Sequence, residues 1–295
     1  MKKKIVIAGG TGFIGQYLDK TFKEEGFEVL IISRDFHHIN WNNNDKIIRA
    51  LEDAEALINL AGKSVDCRYN EKNKSLILAS RVETTKKLQS LIDQCSTPPK
   101  LWINSSTATI YRHSEDKAMD EYTGEIGSGF SVEVAKAWEK TFFEKSATCT
   151  RKVALRIAIT IGKKGGVMKP YINLVKYGLG GQQGNGRQMF SWVHIEDLFC
   201  VIQFVMDKKE MKGVYNCAAP NPIPNKTFMK EMRKILKPLI YLPSPKLLLK
   251  TGAYFIDTET ELVLKSRWVI PKKLIEKGFV FKYPTIGAAL KNILE

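Results

Sequence analysis

The stretch Lys4-Ile5-Val6-Ile7-Ala8-Gly9-Gly10-Thr11-Gly12-Phe13-Ile14-Gly15 decides how the rest of the chain is read. Its apolar run does not alternate with polar residues, which predicts a strand buried on both faces. Glycines then recur every third residue and lead into an amphipathic helical pattern over Phe13–Glu25. A strand that turns through glycines into a helix brings backbone N–H groups and the positive helix end to a phosphate. In that reading Gly9 permits the tight turn and Gly12 lets a pyrophosphate approach the backbone. Gly15 lets the helix pack closely on the strand, with Phe13 and Ile14 opening the helix beside the ligand. A purely structural glycine turn is the competing reading, and the position at the first strand of a βαβ unit argues against it. No Gly-Lys-Ser/Thr follows, so a phosphate loop of the ATPase kind is excluded.

Outward from this motif, short apolar runs over Glu28–Ser33, Ala56–Leu60, Leu101–Ser105 and Val153–Ile157 alternate with helical patterns over Asp45–Glu52, Asn70–Gln94 and Ser131–Ser146. That rhythm predicts an α/β fold with a doubly wound parallel sheet. After about residue 162 it changes to a glycine-rich loop, Gly178–Gly186. Prolines then cluster from Pro220 to Pro245, and the tail from Phe228 reads as helical. The expected organisation is a dinucleotide-binding domain over residues 1–220, which adds to a substrate cleft from about 163, and a smaller, mainly helical lobe over 221–295.

Composition narrows the class. Lys and Arg outnumber Asp and Glu by 46 to 31 in 295 residues, a net charge of +15. The lysines are spread along helical patterns, which predicts solvated faces more than a nucleic-acid patch. No segment reaches the ~18 apolar residues of a membrane span. Five cysteines form no CxxC pair, and the N-terminus lacks the long apolar run of a signal peptide, so a cytoplasmic chain with reduced thiols is expected. The four histidines show no ligand spacing that suggests a metal.

The end of the second strand bears on which dinucleotide is bound. An NAD ribose needs a carboxylate there. Ser33 occupies that place and Arg34 follows, a pair suited to a 2′-phosphate, although Asp35 is a neighbouring carboxylate. NADP(H) is the expected cofactor.

Asn59-Leu60-Ala61-Gly62 after the third strand and Ser105-Ser106-Thr107-Ala108-Thr109-Ile110-Tyr111 after the fourth, with the glycine motif, resemble extended short-chain dehydrogenases/reductases. That group includes sugar-nucleotide epimerases and dehydratases. Ser80–Thr85, Gly178–Gly181, Gly186–His194, Asp197, Arg267–Leu274, Gly278-Phe279 and Tyr283-Pro284 are similar to an atypical epimerase-family branch with a C-terminal helical module. The resemblance implies cofactor contacts from Leu60, Ala61, Gly62 and Ser106. It also implies a Tyr-x-x-x-Lys pair on the helix after the fourth strand, and here Ser131 and Ala135 occupy those places. A shift by one residue brings in Lys136 but puts Val132 at the tyrosine. Thr107 falls where the epimerases carry a catalytic hydroxyl, and Tyr111 ends the same element; these two are the catalytic candidates. Arg187 sits where related epimerases hold substrate phosphates, and Arg81 on the long helix is a second substrate-binding candidate. The competing reading of each arginine is an ordinary surface ion-pair partner, and it weighs more for Arg81 than for Arg187. His194 reads as a helix cap more than as a chemical group.

The resulting expectation is an NADP(H)-dependent oxidoreductase or epimerase-like protein acting on a small nucleotide-linked or phosphorylated molecule, with neither nucleic acid nor membrane as partner. A non-catalytic NADP(H)-binding protein is the alternative. A nucleic-acid-associated regulator would rest on net charge alone.

Overall fold

The computed structural model describes residues 2–144, 149–243 and 265–295. The expected helix end at Ser146 and the tail between residues 244 and 264, Pro245 included, lie outside them. Seven parallel strands form the main sheet in the order β11-β6-β5-β4-β1-β2-β3. Here β1 is Lys4–Ala8, β2 Glu28–Ser33, β3 Ile39–Asn40, β4 Ala56–Asn59, β5 Leu101–Thr107, β6 Arg151–Ile157 and β11 Gly213–Cys217. The chain winds outward from β1 to β3, then crosses back to place β4 against the other side of β1. This reversal opens a crevice at the carboxyl ends of β1 and β4.

The helices form because their apolar residues fall on one stripe. In α1 (Phe13–Glu24) Gly15, Leu18 and Phe22 are buried. In α6 (Ile195–Asp207) Ile195, Leu198, Phe199, Ile202 and Val205 are buried. The strands supply opposite faces in alternation. Ile5 and Ile7 join α1 and α6 in one core, while Val6 and Ala8 join α2 (Asn44–Leu51), α3 (Glu71–Ile92) and α4 (Phe130–Phe143) in another. The expected elements of the first half stand within about two residues of these bounds, except that α4 ends at Phe143 and the expected end at Ser146 lies outside the described residues.

Beyond β6 the chain builds short strands: β7 (Ile159–Gly162), β8 (Gly165–Gly166), β9 (Met189–Phe190), β10 (Trp192–His194) and β12 (Ile223–Pro224). A further core joins α5 (Met168–Lys176) and α7 (Asn225–Leu236) to α9 (Ile286–Leu294) around Phe190, Trp192 and Phe228. This core therefore takes in residues on both sides of position 220. The short α8 (Lys272–Glu276) and the residues after it return to the main sheet, where Leu274, Phe279 and Phe281 pack into the core that holds α1. No described helix is long and apolar enough to cross a membrane.

Candidate functional site

The three glycines of the opening motif have three separate reasons to be glycine. Gly9 sits at φ 79°, and a Cβ there would lie 2.7 Å from the Ala61 backbone. A Cβ on Gly15 would meet the Gly10 backbone at 2.5 Å, so α1 and the turn after β1 could not approach as they do. Gly12 is different: its backbone is extended, and a Cβ would meet nothing within 4 Å. The open space lies at the N-terminus of α1, which has no side-chain cap and no acidic residue in its first turn. Unsatisfied N–H groups facing open space fit a pyrophosphate. The Phe13 ring turns to the other side, against the glycines of the β7–β8 hairpin. Cβ atoms on Gly162 and Gly165 would come within 2.8 and 2.5 Å of it.

At the end of β2 the Ser33 hydroxyl accepts from the Asp35 N–H at 2.9 Å and lies 3.1 Å from His38 Nδ1. Asp35 is occupied in the same turn, accepting from the His37 N–H at 3.0 Å. Arg34 is exposed and has no ion pair among the described residues. The turn thus leaves a guanidinium available beside a fixed hydroxyl, with the neighbouring carboxylate engaged locally. That set suits a 2′-phosphate.

At the end of β4, Asn59 is fully buried. Its Oδ1 accepts from the Ala61 N–H at 3.1 Å, and its amide donates to Asn104 at 2.7 Å and Thr85 at 3.3 Å. Leu60 N–H donates to the Ala8 carbonyl, which seats Leu60–Gly62 beside the glycine turn. Gly62 faces Arg81, whose guanidinium carbon would be 3.1 Å from a Cβ at that position.

The element after β5 is held from below. Ser106, 3% exposed, donates to Glu139 at 2.6 Å. Glu139 also receives two bonds of 2.8 Å from Arg156. Burial works against charge on Arg156, but its bonds to Glu139 outweigh this and raise its pKa. Tyr111 is 2% exposed, donating its hydroxyl proton to Asn216 Oδ1 and accepting from Arg156 Nη1, each at 2.9 Å. Burial pushes the phenol pKa up. Thr107 Oγ1 accepts from the Thr109 N–H at 3.1 Å, which leaves its own proton to donate. Arg267 donates to the Thr109 hydroxyl and Lys265 to the Thr109 carbonyl, both at 3.2 Å, so the tail approaches this element with two cations.

On α4, Ala135 is fully buried in the apolar cluster that contains Tyr111 and Val132. Lys136 faces outward, 3.2 Å from Glu133. Arg187 is 71% exposed on its side chain and lies 3.3 Å from Glu115. His194 caps α6, its Nδ1 accepting from the Glu196 N–H at 3.2 Å. Among the described residues no group of three His, Cys, Asp or Glu could hold a metal.

The Glu139–Arg156 pair was missed in reading the sequence, although an arginine inside an apolar strand run is a signal for it. The cations at 265 and 267 had no such signal, because only the tertiary path of the tail brings them to Thr109.

A doubly wound sheet with an open glycine turn at its reversal point defines a dinucleotide-binding protein of the Rossmann class. Within that class the chain belongs to the NAD dependent epimerase/dehydratase family, whose model matches residues 5–218; a domain of unknown function, DUF1731, matches residues 244–293. It is 32% identical to the epimerase family protein YfhF of Bacillus subtilis, over 98% of this chain and 97% of that one. The crystal structure of human epimerase family protein SDR39U1 with NADPH is similar at TM-score 0.89 and 29% identity, covering 99% of both chains. A nucleoside-diphosphate sugar epimerase from Corynebacterium glutamicum matches at TM-score 0.80 and 26% identity, covering 100% of this chain and 58% of that one.

Proposed function

We propose that the chain binds NADP(H) along the carboxyl edge of β1, β4 and β5 and acts on a small nucleotide-linked or phosphorylated substrate, as an oxidoreductase or an epimerase-like enzyme. The available Arg34 beside Ser33, with Asp35 engaged in its own turn, carries the cofactor half of this reading. The NADPH bound to the similar human protein supports it. Gly9, Gly12 and Gly15 with the backbone at Phe13 and Ile14 would hold the pyrophosphate. Leu60, Ala61 and Gly62, with Ser106 behind them, would border the rest of the dinucleotide. The bound cofactor would supply hydride exchange at its nicotinamide.

In this reading Thr107 donates its proton to a substrate oxygen, oriented by the bond its oxygen accepts from Thr109. Tyr111 is the second candidate, and proton transfer through it would first break its bond to Asn216. Arg187 and Arg81 would meet anionic parts of the substrate, Arg187 after leaving Glu115. The Tyr-x-x-x-Lys pair has no counterpart in this scheme.

Titration of tryptophan fluorescence with each dinucleotide tests the cofactor reading. NADPH should bind more tightly than NADH, and Arg34→Ala should weaken NADPH selectively, by about 1.5–3 kcal/mol for a lost charge-assisted contact. Equal affinities in the unaltered chain would overturn it. With a substrate found among carbonyl compounds and sugar nucleotides, Thr107→Val should lower kcat by ~10²–10³. Ser131→Ala should leave it unchanged.

A second reading, dinucleotide binding without turnover, is favoured by the buried alanine and the outward lysine on α4. Firm NADPH binding with no turnover across that panel would select it.

A further inference from the structure

Arg81 is a charged side chain beside the crevice with no counter-charge among the described residues. Arg81 reaches from α3 to the loop after β4, where Nη1 donates to the Lys63 carbonyl at 3.1 Å and to the Ile77 carbonyl at 3.0 Å. Its guanidinium carbon lies 5.2 Å from the centre of the Trp138 ring. Among the described residues no carboxylate pairs with it, and neither Nε nor Nη2 has a hydrogen-bond partner. Arg156 shows the contrast: also half-buried, it has both oxygens of Glu139. Burial pushes the Arg81 pKa down to about 10, and the Tyr69 phenol acts against that shift. A partly desolvated charge without a counter-charge is unfavourable, so a protein that keeps one gains from a ligand of opposite sign.

The side chain is also held still. Trp138 is fixed by its Nε1–H bond to Thr85 at 3.0 Å, and Thr85 is tied through Asn59 to Asn104. On the preceding residue, Ser80 Oγ accepts from the Lys63 N–H at 2.8 Å. Ser80 and Arg81 therefore clamp both sides of residue 63, and the Trp138 ring lies beside the guanidinium. A guanidinium anchored through Nη1, with its Nε–Nη2 edge unused, can take two oxygens of one anion.

We propose that Arg81 is the substrate's anion site, and that its Nε–Nη2 edge takes a compact oxyanion, a carboxylate or a phosphate, next to Gly62. This deepens the substrate half of the reading above and rests on it. It also gives the Ser80-Arg81 and Thr85 positions of the sequence one shared purpose: a rigid loop with a positive group at its edge.

The test uses the full chain saturated with NADP⁺, melted in the presence of inorganic phosphate or malonate, with sodium chloride at matched ionic strength as control. One of the two oxyanions should raise the melting temperature saturably by a few degrees over the control, phosphate alone marking a phosphorylated substrate and malonate alone a carboxylate. Arg81→Gln removes the charge and the fork, and its amide stops short of the two carbonyls, so its anion response is read against its own chloride control. It should bind NADPH equally well and lose the anion response. Arg81→Lys, which keeps the charge without the fork, should need roughly tenfold or more anion for the same shift. Absence of an anion-specific response in the unaltered chain, or its survival in Arg81→Gln, overturns the proposal. NADPH affinity lowered severalfold in Arg81→Gln also overturns it, by assigning the anion to the cofactor. Failure of NADPH binding in the unaltered chain would instead strike the cofactor reading itself.

Discussion

At the scale of the residue, the glycine motif carries distinguishable physical demands, and they can be separated by substitution. Gly12 has an extended backbone that valine adopts readily, and its Cβ would stand in open space. Gly12→Val should therefore keep the circular dichroism and melting temperature of the parent while abolishing NADPH binding. Gly15→Val should melt far lower, since its Cβ would sit 2.5 Å from the Gly10 backbone. A Gly12→Val protein that binds NADPH normally would reduce the motif to a turn. The glycines were legible in the sequence because each answers a local constraint, a turn or a close approach. Arg34 was legible for a similar reason, being adjacent to the end of a recognisable strand. The engagement of Asp35 was not, because an aspartate that accepts from the amide two residues on has the same letter as one facing a ribose.

At the scale of the element, largely apolar runs exposed β1, β2, β4, β5 and β6, since a strand covered on both faces has few polar positions to confuse its period. The two- and three-residue strands after β6 have no period to detect. His194 links a legible cap to a property that only burial reveals. As the cap of α6 it accepts from Glu196 N–H, and burial holds its pKa below the ordinary histidine value of 6.5. The unfolded chain then takes up the proton first. The stability that neutral His194 contributes is present above the unfolded pKa and is lost as pH falls below about 6.5 towards the folded value. Asp197, whose pKa burial raises, works in the opposite sense, so the histidine is isolated by difference. Melting temperature should fall between about pH 6.5 and 5 in the parent. His194→Asn, which keeps a good capping oxygen, should show a flatter profile over that interval. Parallel profiles for the two proteins would refute the assignment.

At the scale of the whole molecule, the tail packs into two cores in turn. The tail first lends Leu274, Phe279 and Phe281 to the main core, then enters the core of α5, α7 and α9. The join is a buried carboxylate: Asp197, fully buried on α6, accepts from the Lys282 N–H at 2.7 Å and the Tyr283 N–H at 3.0 Å. Its neighbour Glu196 adds a half-buried bond from the Tyr283 hydroxyl at 3.1 Å and an exposed one from Lys282 Nζ at 2.6 Å, which solvent screens. Sequence shows Asp197 and Tyr283-Pro284 as separate motifs, 86 positions apart for the aspartate and the tyrosine; periodicity carries no information about such a pairing. Removing the carboxylate leaves two backbone donors without a partner, so Asp197→Ala should cost roughly 2–5 kcal/mol, and Asp197→Asn, which keeps one acceptor oxygen, less. The loss should also be local. Leu274, Phe279 and Phe281 would still anchor the tail in the core they share with β1, β4 and β5. Hydrogen exchange should then show protection falling at Lys282, Tyr283 and α9 under conditions where the main strands remain protected. Uniform loss across the sheet would mean that the two cores open as one unit, and unchanged exchange at residues 282 and 283 would mean that Asp197 is not what joins them.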